Sequence, residues 1–229
     1  MIKYLKCLSR FELGLWIVSL IVVSGSFLLS QNFYFPTLIA SLIGVTGLIF
    51  VAKGHVAGMV ITVIFSILYG FISWQFAYYG EVITYLGMTA PMAIVAMIAW
   101  IRNPFKQGEN EVAIANMDRD KVMKLILFTT LVTIAFYFIL GYFHTENLVF
   151  STLSITTSFA AVYLTYCRSA AYALAYALND IVLIVLWILA TMEDTAYLTM
   201  VVCFLMFLVN DFYGYYNWMK MKKKQEKQG

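Results

Sequence analysis

The stretch Arg168–Lys220 reads RSAAYALAYALNDIVLIVLWILATMEDTAYLTMVVCFLMFLVNDFYGYYNWMK. It is long and apolar enough for two membrane crossings, yet it carries two Asn-Asp pairs, Asn179-Asp180 and Asn210-Asp211. An ionisable group inside a membrane helix is costly and marks a pathway or a site. Tyr176, Trp187, Tyr213, Tyr216, Asn217 and Trp218 surround the pairs in sequence. These residues read as a small pocket of carboxylates, amides and rings, and the rest of the chain as its scaffold.

The whole chain supports a membrane setting. It has 229 residues, 62% hydrophobic and 12% charged, and a soluble domain carries about twice that charged share. A span needs about 20 apolar residues. Eight segments qualify: 11–30, 35–52, 55–77, 81–101, 121–143, 148–166, 169–191 and 195–219. The long polar connection 102–120 separates two halves. With eight spans, all 15 Lys and Arg fall on one side, from Lys3, Lys6 and Arg10 through Lys53, the 102–124 region and Arg168 to Lys220–Lys227. Only Glu81, Glu146, Glu193 and Asp194 charge the other side. The positive-inside rule then places both termini in the cytoplasm. The basic start and Ser24-Gly25-Ser26 also fit a cleaved signal peptide. The apolar run continues to Leu29, which favours a retained helix.

Cys7, Cys167 and Cys203 have no metal-binding spacing and read as structural. No nucleotide-binding glycine loop, zinc pattern or nucleophile elbow occurs, so no cofactor and no enzyme activity is expected.

Sliding the chain by 118 residues brings Trp100 onto Trp218, Arg102 onto Lys220, Tyr79 onto Tyr197, Tyr69 onto Trp187 and Thr62 onto Asp180. The second to fourth spans then superpose on the sixth to eighth without a gap, and the odd fifth span restores their orientation. The expected fold is an all-α polytopic membrane protein with parallel 3+1+3 helix repeats and one extra N-terminal helix. Its parts are 1–34 (extra helix), 35–101 (first repeat), 102–147 (loop and linker helix), 148–219 (second repeat) and 220–229 (basic tail). Such repeats are a transporter pattern, with the site where they meet near the midplane.

Helical spacing puts Tyr176, Asp180 and Trp187 on one face. The last helix aligns Phe207, Asn210 or Asp211, Gly214, and Asn217 or Trp218. The first repeat answers with Thr62, Ser66, Tyr69, Tyr85 and Thr89, and Pro91 frees a backbone carbonyl near Gly87. Trp74, Gln75, Tyr78, Tyr79 and Glu81 mark the outer mouth. Aromatic faces with carboxylates suit a flat cationic ring, and the amides and hydroxyls suit a sugar. No Lys or Arg lies mid-membrane to partner a phosphate. The competing readings are a structural polar network around Asp180 and Asp211, and interface anchoring by Trp74, Trp100 and Trp218.

Residues 35–220 resemble the PnuC family of bacterial vitamin transporters, of the nicotinamide riboside type. The resemblance rests on Trp74-Gln75, Tyr79, Ala99-Trp100, Asn179-Asp180, Trp187, Asn210-Asp211-Phe212-Tyr213-Gly214 and Asn217-Trp218. It implies a fold like that of SWEET-type sugar transporters and a homotrimer in the bacterial inner membrane. It also implies uptake of nicotinamide riboside by facilitated diffusion, with intracellular phosphorylation trapping the substrate. The expected binding residues are Thr62, Ser66, Tyr69, Trp74, Gln75, Tyr85, Thr89, Tyr176, Asn179, Asp180, Trp187, Asn210, Asp211, Tyr213 and Asn217. The expected partners are the small-molecule substrate, the lipid bilayer and further copies of the chain, with no nucleic acid and no metal. Thiamine, a sugar or proton-coupled transporter using Asp180, and an intramembrane enzyme are the alternatives.

Overall fold

A computed structural model describes residues 8–29, 34–75, 79–107, 110–145, 147–193 and 197–228. Lys3, Lys6, Cys7, Tyr78, Glu146 and Asp194, and the side chain of Tyr79, lie outside the described residues. Among those described, eight helices are long and apolar enough to cross a membrane. They are α1 (Arg10–Leu29), α2 (Phe35–Ala52), α3 (Val56–Gln75), α4 (Tyr79 to Arg102), α5 (Arg119–Tyr142), α6 (Leu148–Tyr166), α7 (Tyr172–Glu193) and α8 (Leu198–Glu226).

Two elements depart from the sequence expectation. Helix α4 is π-helical over Ile83–Thr89, where the Ala90 N–H bonds back to the Tyr85 carbonyl. Pro91 has no N–H for the usual bond four residues back, and the helix widens just ahead of it. Helix α8 runs seven residues past the expected end, because Met, Lys, Gln and Glu remain good helix formers beyond the apolar span.

Six helices close into a ring in the order α2, α3, α4, α6, α7, α8 and back to α2. Exchanging α2–α4 for α6–α8 leaves this order of neighbours unchanged. Helix α1 packs outside, on α2 and α8, and α5 packs outside along α6 with only Leu140 fully covered. One aromatic layer, at the end bearing Arg102 and Lys220, holds Trp100, Trp218 and Tyr172. The other layer holds Phe65, Tyr69, Tyr85, Trp187, Phe204 and Phe207. The two indoles are fully buried with ring centres 5.3 Å apart. Each donates to the next helix of the ring: Trp100 Nε1 to the Thr165 carbonyl at 2.9 Å, and Trp218 Nε1 to the Val51 carbonyl at 2.9 Å.

The α2–α3 and α6–α7 turns are built alike. Gly54 N–H bonds to Val51 O and His55 N–H to Phe50 O; Arg168 N–H bonds to Thr165 O and Ser169 N–H to Leu164 O. Both are Schellman motifs with a left-handed residue, Gly54 at φ 63° and Arg168 at φ 58°. His55 Nδ1 then accepts from Ala57 N, as Ser169 Oγ accepts from Ala171 N. Burial and the Lys53 ammonium hold the His55 pKa below its ordinary value, which keeps Nδ1 an acceptor. Matching residues in these turns are 114 apart, whereas the paired tryptophans are 118 apart. The gapless repeat expected from sequence is therefore broken by four residues, about one helical turn.

The connection between α4 and α5 straps both turns. Val112 N–H donates to Gly54 O at 2.9 Å, Ala115 N–H to Arg168 O at 3.0 Å, and Arg168 Nη1 to Ala113 O at 3.1 Å. Gln225 of α8 accepts from Ile114 N at 2.8 Å. Helix α1 docks through Glu12, whose carboxylate takes Lys53 Nζ at 3.0 Å and the Tyr213 hydroxyl at 2.8 Å. Trp16 Nε1 adds a bond to Thr46 Oγ1 at 3.0 Å.

Candidate functional site

Between the two aromatic layers the ring holds a cavity of about 70 Å³, room for several waters. All six ring helices line it. Helix α2 supplies Gly44, Leu48 and Val51; α3 supplies Met59, Thr62, Phe65 and Ser66; α4 supplies Tyr85 and Thr89. Helix α6 supplies Ser158 and Thr165; α7 supplies Tyr176, Asn179 and Asp180; α8 supplies Phe204, Phe207 and Asp211. The π-helical segment ends on Thr89 and carries Tyr85, so the widened turn presents both side chains to the cavity. Gly44 gives the Phe207 and Phe65 rings their space, since a Cβ there would collide with Phe207.

The polar groups are arranged unevenly. Asp180 of α7 and Asp211 of the neighbouring α8, both 3% exposed, present two buried carboxyls to the cavity. Asp180 Oδ2 and Thr89 Oγ1 are buried with no hydrogen-bond partner among the described residues. Such atoms are costly in an apolar interior unless something fills them. Asn179 Oδ1 accepts from Thr157 Oγ1 at 2.9 Å and Ser158 Oγ at 3.1 Å. The Thr62, Ser66 and Thr165 hydroxyls donate to carbonyls one turn back, at 2.8 to 2.9 Å, leaving their lone pairs for another donor. No Lys, Arg or His is among the lining residues. Among the described residues no cluster of His, Cys, Asp and Glu could hold a metal.

Of the fifteen residues expected from sequence, Thr62, Ser66, Tyr85, Thr89, Tyr176, Asn179, Asp180 and Asp211 meet at this cavity. Tyr69 and Trp187 stand behind its wall. The Tyr69 ring lies 4.2 Å from Tyr85 and 6.5 Å from Trp187, centre to centre. Five lie elsewhere. Asn210 turns to α1, donating to Ser19 Oγ at 3.1 Å, and Tyr213 turns there too, to Glu12. Asn217 caps the end of α2 through the Ala52 carbonyl at 2.8 Å. Trp74 is 62% exposed on the outside of the bundle, and Gln75 accepts from the Tyr34 hydroxyl.

The sequence reading missed Gly44, Leu48, Val51, Met59, Phe65, Ser158, Thr165 and Phe204 as lining residues. The hydroxyl cluster Thr156-Thr157-Ser158 inside an apolar helix was the available signal for α6. The residues of α2 carry no signal, since an apolar residue facing a cavity looks like one facing the core.

A family model described as nicotinamide mononucleotide transporter matches residues 35–220. A protein of Neisseria mucosa named nicotinamide riboside transporter PnuC is 24% identical over 196 residues, covering 83% of this chain and 74% of its own. One of the same name from Haemophilus influenzae is 27% identical over 188 residues, covering 82% and 80%. The solved structure described as the vitamin B3 transporter PnuC shares the fold at a TM-score of 0.82 and 21% identity, over 95% of this chain and 94% of that one.

Proposed function

This chain belongs to the nicotinamide mononucleotide transporter family, and on that premise we propose that it carries nicotinamide riboside into a bacterial cell. It is a multi-pass membrane transporter and not an enzyme. The family model and the relatives bear names that differ by one phosphate. The observation that carries the choice between them is the lining of the cavity: two buried carboxyls, rings and hydroxyls, with no Lys, Arg or His. A riboside brings a pyridinium cation and a ribose, which suit that lining. A mononucleotide also brings a phosphate, and burying it unpartnered costs several kcal/mol.

In this reading the substrate's own charge occupies the carboxyl pair, so transport is facilitated diffusion that needs no ion gradient. A cytoplasmic kinase then traps the product, because the phosphorylated form cannot return through the same cavity. Both termini are cytoplasmic, the functional unit is a homotrimer, and residues 35–101 and 148–219 are the two repeats. The binding set is the eight sequence-expected residues at the cavity, with Tyr69 and Trp187 holding its aromatic wall.

The test is uptake of labelled nicotinamide riboside into proteoliposomes with no pH or ion gradient. Saturable uptake that stops when inside and outside concentrations are equal supports the reading. Uptake that appears only with a proton gradient favours Asp180 as a proton carrier and overturns it.

A further inference from the structure

The cavity has two unlike walls, and their difference orients the ligand. Residues 114 apart occupy matching places after the two equivalent turns. In that register Thr62 pairs with Tyr176, Phe65 with Asn179, and Ser66 with Asp180, and all six line the cavity. The matching positions differ in chemistry. Ser66 stands where the other half has a carboxyl, and both lining carboxyls and the lining amide belong to α7 and α8. The α3–α4 wall is neutral and offers hydroxyls: Thr62 and Ser66 with open lone pairs, and Thr89 with its oxygen unpartnered.

We infer that Ser66 and Thr89 determine specificity for the sugar, and that a riboside binds with its ribose on the α3–α4 wall and its cationic ring on the α7–α8 wall. This rests on the transport reading above and deepens it. Each ribose hydroxyl is both donor and acceptor. It gives its proton to Ser66 Oγ, whose own proton is committed to the Thr62 carbonyl at 2.9 Å. Thr89 has no committed proton and takes either role. On the opposite wall the unpartnered Asp180 Oδ2 faces the cation. A ligand turned end for end would set its charge against neutral hydroxyls and leave that oxygen buried without a partner.

Three ligands separate the two walls: nicotinamide riboside, 1-methylnicotinamide (a cation without the sugar) and the neutral 1,4-dihydro form of the riboside. Affinities are measured on monodisperse wild-type protein and on Ser66→Ala, Thr89→Val and Asp180→Asn. The hydroxyl variants should weaken both ribosides by about three- to tenfold and leave 1-methylnicotinamide unchanged. Asp180→Asn should weaken the two cations by about ten- to a hundredfold and the dihydro form far less. Thr89→Val should melt no lower than wild type, because it removes an unpartnered hydroxyl, and a merely structural role would not pair that stability with weaker sugar binding. Hydroxyl variants that spare the ribosides, or that weaken 1-methylnicotinamide equally, overturn the assignment. Wild-type protein that binds none of the three overturns the transport reading and the orientation together. Wild-type binding of the riboside without this pattern overturns the orientation alone.

Discussion

The turn at Lys53–His55 and the turn at Cys167–Ser169 make the same hydrogen bonds from different residues. Five pairs of lining positions match across the two halves, and each pair differs in residue type. Backbone geometry has kept its two-fold pattern, while the side chains facing the ligand have lost it. A symmetric scaffold of this kind permits a rocking motion about its centre, and an asymmetric lining lets an asymmetric ligand bind one way round. Helix α1 breaks the pattern a second time, because Glu12 takes Lys53 of the first turn, whose counterpart in the second turn is Cys167.

The hardest test of the matched scaffold is its pair of buried indoles. Trp218→Ala and Trp100→Ala should each cost about 3–5 kcal/mol of stability, as large core truncations do. Thermal unfolding in detergent should show similar losses, and a several-fold difference between the two would break the equivalence. The turns give smaller effects that differ between the two halves. Gly54→Ala should destabilise by about 1–2 kcal/mol, since an L residue there is strained, and its Cβ would also press on Met221 and Val112. Arg168→Gly should stay within about 1 kcal/mol of wild type, because relief of the left-handed strain offsets the lost bond to Ala113. Equal penalties would mean that the two turns carry load differently from their geometry.

Adjacent residues on α8 separate scaffold from site. Asn210→Ala should lower stability by about 0.5–1.5 kcal/mol through the bond to Ser19 and leave riboside affinity unchanged, whereas Asp211→Asn should lower affinity. Loss of affinity in Asn210→Ala would move the cavity wall by one residue. The smallest effect is a pH dependence confined to the first turn. The folded pKa of His55 lies below its unfolded value near 6.5, so the unfolded chain binds the proton first. His55 therefore contributes full stability above pH 6.5, and that contribution is lost as pH falls through the lowered folded value. His55→Asn keeps a capping acceptor and should remove this component. Ser169, its counterpart, does not titrate in this range, and Ser169→Asn should leave the pH profile unaltered.

Much of the fold was legible because lipid imposes one length and one composition on every crossing. The expected limits of α2 and α6 coincide with those observed. The register between the halves was not legible. The feature that fixes it is a backbone turn closed by glycine in one half and arginine in the other, and side-chain identities cannot report it. Asp180 and Asp211 stood out because a polar side chain in an apolar helix is costly and needs a partner or a site. Asn210 and Tyr213 stood out for the same reason and were misplaced, because their partners Ser19 and Glu12 lie on α1, 191 and 201 residues away. Pro91 pointed to a weakened helix near Gly87, and the π-helical Ile83–Thr89 segment is the form it takes.

The central claim is that a lining with carboxyls and no fixed cation accepts the riboside and rejects its phosphate. The direct measurement is calorimetric binding of nicotinamide riboside and nicotinamide mononucleotide to the same preparation of purified wild-type protein. The riboside should bind about a hundredfold tighter or more, as an unpartnered phosphate requires. Equal or tighter binding of the mononucleotide would contradict the account.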